Sequence, residues 1–227
     1  MKNPDIQESE ALELPVFLNG DRNYVQASQV ISRTAEILEQ KRPAEFQLQD
    51  FAFRRITTNK IAVSFHSEHI GPAADIVGEA NFSSPAQPVI ARFHDLDEAA
   101  ENRNLPETIK LEWLSSKRLG CGDFSFQHAF SFEDALICVV QSIKKLQLSL
   151  ADDVHDVFIT AMRGAKLSLS QAFAAPSGEI SIHMLRLMGN SPQFQTLSKV
   201  TITAGQKRMP SFAVMFAFRS NATIHVD

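Results

Sequence analysis

Cysteine is scarce in this 227-residue chain: Cys121 and Cys138 are the whole complement, too few for a disulfide framework, and no Cys/His cluster has zinc-ligand spacing. Gly-rich phosphate loops of the GxxxxGK or GxGxxG type are missing, which argues against nucleotide chemistry on the folds that use them. No nucleophile elbow of the GxSxG kind occurs either. Long apolar runs are lacking too. Runs such as Ala135 to Val140 fall far short of the ~18 residues that a membrane helix needs, so no membrane partner is expected. With a formal net charge of −4 and dispersed Lys and Arg, the chain carries no basic stripe to track phosphates, and nucleic acid is not an expected partner. The opening "MKNPDIQESEALELP" is acidic and has no apolar core or small-residue cleavage site, so a secretory leader is not expected. Together with the few cysteines, this points to a cytoplasmic location.

What is present reads as a globular protein. An apolar fraction of 44% against 21% charged residues sets disorder aside, and the length suits one large domain or two small ones sharing a sheet. Periodicity shows the same order of elements twice. The first half opens with a strand around Leu14 to Leu18, a polar turn, and a helix from about Ala27 to Gln40, with Val30, Ile31, Ala35, Ile37 and Leu38 near helical spacing. Lys41, Arg42 and Pro43 stop it. Strands follow in "EFQLQDFAFRRIT", "KIAVSFHSE", "DIVGEANFS" and "PVIARFHD". Alternation over Phe46, Leu48, Phe51 and Phe53 breaks once, at Asp50, which predicts a bulge or register change.

The polar, acidic stretch "LDEAAENRNLP", residues 96–106, reads as a linker between units at about 10–95 and 107–220. Beyond it come the strand "TIKLEWLSS", a loop, and a helix starting near Ser131, where Asp134 three residues on makes a capping-box variant and Ala135, Leu136, Val139, Val140 and Ile143 form the apolar face. Strands return in "DVFITAMRGAKLSLSQAF", "EISIHMLRLMG", "FQTLSKVTITAG" and "SFAVMFAFRS". One helix followed by a curved antiparallel sheet that wraps it resembles the hot-dog fold, and the repetition resembles a tandem, double hot dog of the α+β class. Pairing of two units also removes edge strands that a single unit leaves open. A plain α+β sandwich with fortuitous repetition is the alternative.

The turn "NGDRNYVQASQVIS" resembles the signature of the (R)-specific enoyl-CoA hydratases, GDxNPxH followed at an interval by a small residue. Gly20, Asp21 and Asn23 match and Ser32 falls at the small position. Tyr24 replaces the Pro, and Gln26 replaces the catalytic His. Glutamine hydrogen-bonds but carries no proton. A looser likeness runs to hot-dog thioesterases, whose segment before the central helix corresponds to "YVQAS". His128, just ahead of the second helix, matches in position the catalytic His of the β-hydroxyacyl-thioester dehydratases, without their Pro and Gly.

These resemblances imply an acyl-thioester pocket between the halves. His128 would be the proton carrier and Asp21 its carboxylate partner, with Asn23, Tyr24, Gln26 and Gln29 toward the substrate and the helix N-terminus polarising the thioester carbonyl. The implied partner is an acyl-CoA or acyl-carrier protein, with no cofactor and no metal. The implied activity is that of a hydratase, dehydratase or thioesterase. A protein that only binds acyl thioesters, or a scaffold, is the competing reading, and ordinary helix-start chemistry accounts for Asp21 and Asn23 on turn propensity alone. Closed symmetry makes a homodimer the expected assembly. His66, His69 and His94 lie on strands or at their ends without readable metal-ligand spacing, and the Met and Phe residues read as core suited to lining an acyl chain.

Overall fold

Helix α1 forms over Ala27–Lys41 in the computed structural model, which describes residues 11–19, 24–41, 45–68, 75–103, 110–115, 120–127, 132–151, 153–168, 177–205, 207–221 and 224. Its apolar positions recur at helical spacing, so Val30, Ile31, Ala35 and Leu38 are buried on one stripe. Lys41 closes its last turn, where positive charge meets the negative end of the helix dipole. The chain divides into two units: Met1–Pro106 with Leu167–Ser170, and Glu107–Lys166 with Gln171–Asp227.

In the first unit the strands are β1 (Leu12–Glu13), β2 (Leu18–Asn19), β3 (Gln47–Phe53), β4 (Asn59–His66), β5 (Ile76–Ser83), β6 (Val89–Ala99) and β7 (Asn102–Arg103). Their order in the sheet is β1-β4-β6-β5-β3, all antiparallel, while β2 and β7 form a small parallel pair. Alternation sets the faces. Phe51, Ala80, Ala91 and Phe65 share one row, and Phe53, Gly78, Phe93 and Val63 the next; the rings of Phe51, Phe53 and Phe93 pack within 4.9 to 6.2 Å of one another. The register of β3 against β5 shifts between Leu48 and Asp50, where the sequence alternation breaks.

The second unit holds β8 (Lys110–Ser115), β9 (Cys121–Gln127), helix α2 (Phe132–Leu148), β10 (His155–Ser168, all but its last two residues), β11 (Ser177–Asn190), β12 (Gln193–Ala204), β13 (Lys207–Arg208) and β14 (Phe212–Arg219). The order is β10-β14-β12-β11-β9-β8, with β13 on β12. Helix α2 carries Glu133 and Asp134 in its first turn, favourable at the positive end. It packs on β8, β9 and β11 with Leu136, Val139 and Ile143 buried.

The two units repeat the elements but not the pairing. In the first, the last two long strands form a hairpin whose second member, β6, lies beside β4. In the second, β11, β12 and β14 run as a plain meander, and the final strand lies beside β10.

Three local readings of the sequence change. The strand anticipated over Leu14 to Leu18 is instead two short ones, because Pro15 has no N–H to give a ladder; the Val16 N–H bonds the Leu14 carbonyl at 2.8 Å and turns the chain there. The segment before α2 anticipated as loop contains β9. A Cβ at Gly122 would stand 2.9 Å from the Phe124 ring, so the glycine makes room for packing within a strand. Leu96 to Ala99, anticipated as linker, extends β6 with exposed side chains. No described helix is long and apolar enough to cross a membrane.

Candidate functional site

The start of α1 is held from three sides. Val25 donates its N–H to the Thr57 carbonyl at 3.0 Å, and the Gln26 carbonyl accepts the Val30 N–H at 3.2 Å, which makes Gln26 the residue that opens the helix. Thr57 is itself fixed by Asp95. That carboxylate accepts from Thr57 Oγ1 at 2.7 Å, Asn59 Nδ2 at 2.8 Å and the Asp97 N–H at 2.9 Å, with Arg55 at 3.4 Å. Burial pushes the Asp95 carboxyl up, but the Asn59, Asp97 and Thr57 hydrogen bonds together with the Arg55 charge outweigh it, and the net shift is downward. Nothing in the sequence pattern singled out Asp95, since its partners come together only through the β4–β6 pairing.

On the other flank, Leu18 donates its N–H to the Glu101 carbonyl at 2.8 Å, and the Arg103 guanidinium lies over the Phe17 ring, 5.1 Å from its centroid. Phe17 donates its N–H to Gln29 Oε1 at 3.1 Å.

Of the residues anticipated for the site, Tyr24 and Gln26 are half-buried and Gln29 is buried. Gln29 spends its carbonyl on Phe17, so only its amide nitrogen is left to reach a substrate. Gln26 Nε2 is buried and has no hydrogen-bond partner among the described residues. A buried amide N–H2 without an acceptor is costly. The first turn of α1 holds no acidic side chain, so the positive end of the helix dipole is not neutralised from within the helix. The foot of α1 therefore presents a donor in search of an acceptor beside an electropositive helix end, which suits a carbonyl or carboxylate oxygen. Asp21, Asn23, His69 and His128 lie outside the described residues. Among the described residues no three His, Cys, Asp or Glu side chains converge to hold a metal ion.

Metal-ligand spacing, the one signal read from His66 and His94 in the sequence, does not show their grouping with Ser64. Ser64, His66 and His94 meet on one face of the first unit's sheet with Asp75 beside them. A readable signal was the pair Ser64 and His66, two polar residues at the strand period in the otherwise apolar stretch that starts at Ile61.

No known family matches the chain, and no curated protein does. Among solved structures it is similar to the tesB protein of Mycobacterium avium subspecies paratuberculosis, with 7% identity over 90% of this chain and 91% of that one and a TM-score of 0.54. It is similar also to the CurJ dehydratase, with 10% identity over 91% and 86% and a TM-score of 0.50, and to a GphF dehydratase, with 9% identity over 97% and 96% and a TM-score of 0.50. The likeness is one of fold.

Proposed function

We propose that the protein is a double hot dog that processes acyl thioesters, carried on coenzyme A or on an acyl-carrier protein, by hydration, dehydration or thioester hydrolysis. The observation that carries this reading is the buried, unpartnered Gln26 Nε2 at the foot of α1 in a fold shared with a tesB protein and with dehydratases. The thioester carbonyl is the missing acceptor: Gln26 Nε2 and the first-turn backbone N–H groups donate to its oxygen, and negative charge developing there is favoured by the helix dipole. Asp21 and Asn23 orient the acyl group, Tyr24 and the Gln29 amide nitrogen flank it, and His128 moves the proton, since imidazole is the side chain in this set that titrates near neutrality. The active form is a cytoplasmic homodimer.

A second reading has one observation in its favour. Gln26 stands where the resembled hydratases carry their catalytic His, and an amide cannot shuttle a proton. On that reading the protein binds the acyl thioester without turning it over. Mass spectrometry of ligands that copurify, followed by a panel of acyl-CoA and enoyl-CoA substrates of increasing chain length, separates the two: turnover supports the enzyme, and saturable binding without turnover supports the carrier. Absence of both ends the acyl-thioester reading.

A further inference from the structure

Four side chains outside that site form an ordered chain of hydrogen bonds. Ser64 and His66 project from the same face of β4, two residues apart, and His94 lies diagonally across on β6, paired with Ala62. Ser64 Oγ is 2.8 Å from His94 Nε2 and 2.8 Å from His66 Nε2. His94 Nδ1 is 2.7 Å from Asp75 Oδ2, and the Asp95 N–H bonds the Asp75 carbonyl at 3.1 Å, which pins Asp75 to the strand that carries His94.

The protons in this chain follow from donor and acceptor counting. A carboxylate only accepts, and the hydrogen bond from His94 holds the Asp75 carboxyl below its ordinary range. His94 therefore carries its proton on Nδ1, and in the neutral ring Nε2 is an acceptor. Ser64 must then give its hydroxyl proton to His94 Nε2, and His66 must donate its Nε2–H to Ser64 Oγ. This is the arrangement of a carboxylate–imidazole–hydroxyl relay, which is recognised by geometry and roles and not by sequence order. Arg92 stands directly opposite Ser64 in the ladder, its side chain buried and paired with Glu79 at 3.1 Å.

We propose that Ser64 is an activated nucleophile and acyl acceptor for small activated esters, at a site separate from the foot of α1. Ser64 Oγ bonds the ester carbonyl carbon while its proton passes to His94 Nε2. The carbonyl carbon–oxygen bond to the leaving group then breaks, and that oxygen departs with the proton from His94. The acyl group remains as an ester on Ser64. Asp75 is a positioning residue that fixes the His94 tautomer. Ser64 is only 6% exposed, which restricts the donor to short acyl groups.

The test uses the intact protein and p-nitrophenyl acetate, with tryptic mass spectrometry to locate the acetyl group. Acetylation of Ser64 is expected in wild type, abolished in Ser64→Ala, reduced at least tenfold in His94→Gln, and reduced in Asp75→Asn, with circular dichroism establishing that each variant is folded. Gln26→Leu and His128→Ala should label Ser64 as wild type does, so the outcome is independent of acyl-thioester turnover. Ser64 remaining unmodified while exposed lysines become acetylated would overturn the proposal, as would equal labelling of Ser64 in wild type and in folded His94→Gln.

Discussion

The side-chain carbonyl of Gln29, in the first turn of α1, accepts the backbone N–H of Phe17 across 3.1 Å within the core. This single bond ties the segment around Phe17 to the first turn of α1.

Removing that acceptor should be costly to stability. Gln29→Leu leaves the Phe17 N–H buried and unpaired, a loss of about 1–3 kcal/mol, whereas Gln29→Glu keeps an acceptor oxygen and should lose less. Urea unfolding of the two variants beside wild type checks the order. Equal stability of Gln29→Leu and wild type would mean that the bond is dispensable.

Asp95 makes the foot of α1 sensitive to acid. Its carboxyl is held low in the folded protein by the Asn59, Asp97, Thr57 and Arg55 contacts, which together overcome burial. A folded value below the unfolded value, about 3.9, means that this contribution is fully present above the unfolded value and fades as pH falls through the folded one. Stability should thus decline below about pH 4, and Asp95→Asn should be less stable at neutral pH with a shallower further loss in acid. Thermal unfolding across that range reads both slopes.

Burial, with a smaller contribution from the Asp134 charge, pushes the Cys138 thiol up to about 12. As the thiolate is the nucleophile, native protein at neutral pH should leave Cys138 unlabelled by iodoacetamide until denaturant is added. Peptide mapping of alkylation before and after unfolding makes the comparison. Rapid native labelling of Cys138 would show that α2 opens readily.

Helices α1 and α2 and most long strands were legible because their apolar periodicity is strong: Val30, Ile31, Ala35 and Leu38 mark one face of α1, and Phe194, Thr196, Ser198, Val200 and Ile202 alternate inward along β12. The break at Asp50 was legible because a bulge interrupts alternation. Strand β9 was not, since the room that Gly122 leaves for the Phe124 ring is a matter of packing and not of periodicity. The exchanged strand order of the second unit was equally hidden, because element order says nothing about which edge a returning strand joins. At the foot of α1, the places of Tyr24, Gln26 and Gln29 before and within the first helical turn were legible. The Asp95 cluster and the Ser64–His94–Asp75 relay were not, being assembled across strands from residues up to 40 positions apart.

Steady-state turnover of an acyl-CoA panel by wild type and by His128→Ala, with melting temperatures measured in parallel, decides whether the protein processes acyl thioesters through His128. Turnover of at least one acyl thioester by wild type, abolished in His128→Ala at nearly unchanged melting temperature and weakened less by Asp21→Asn, is the predicted result. Undiminished turnover in a folded His128→Ala would contradict the proton-carrier role, and neither turnover nor saturable binding of any acyl thioester by wild type would contradict the account as a whole.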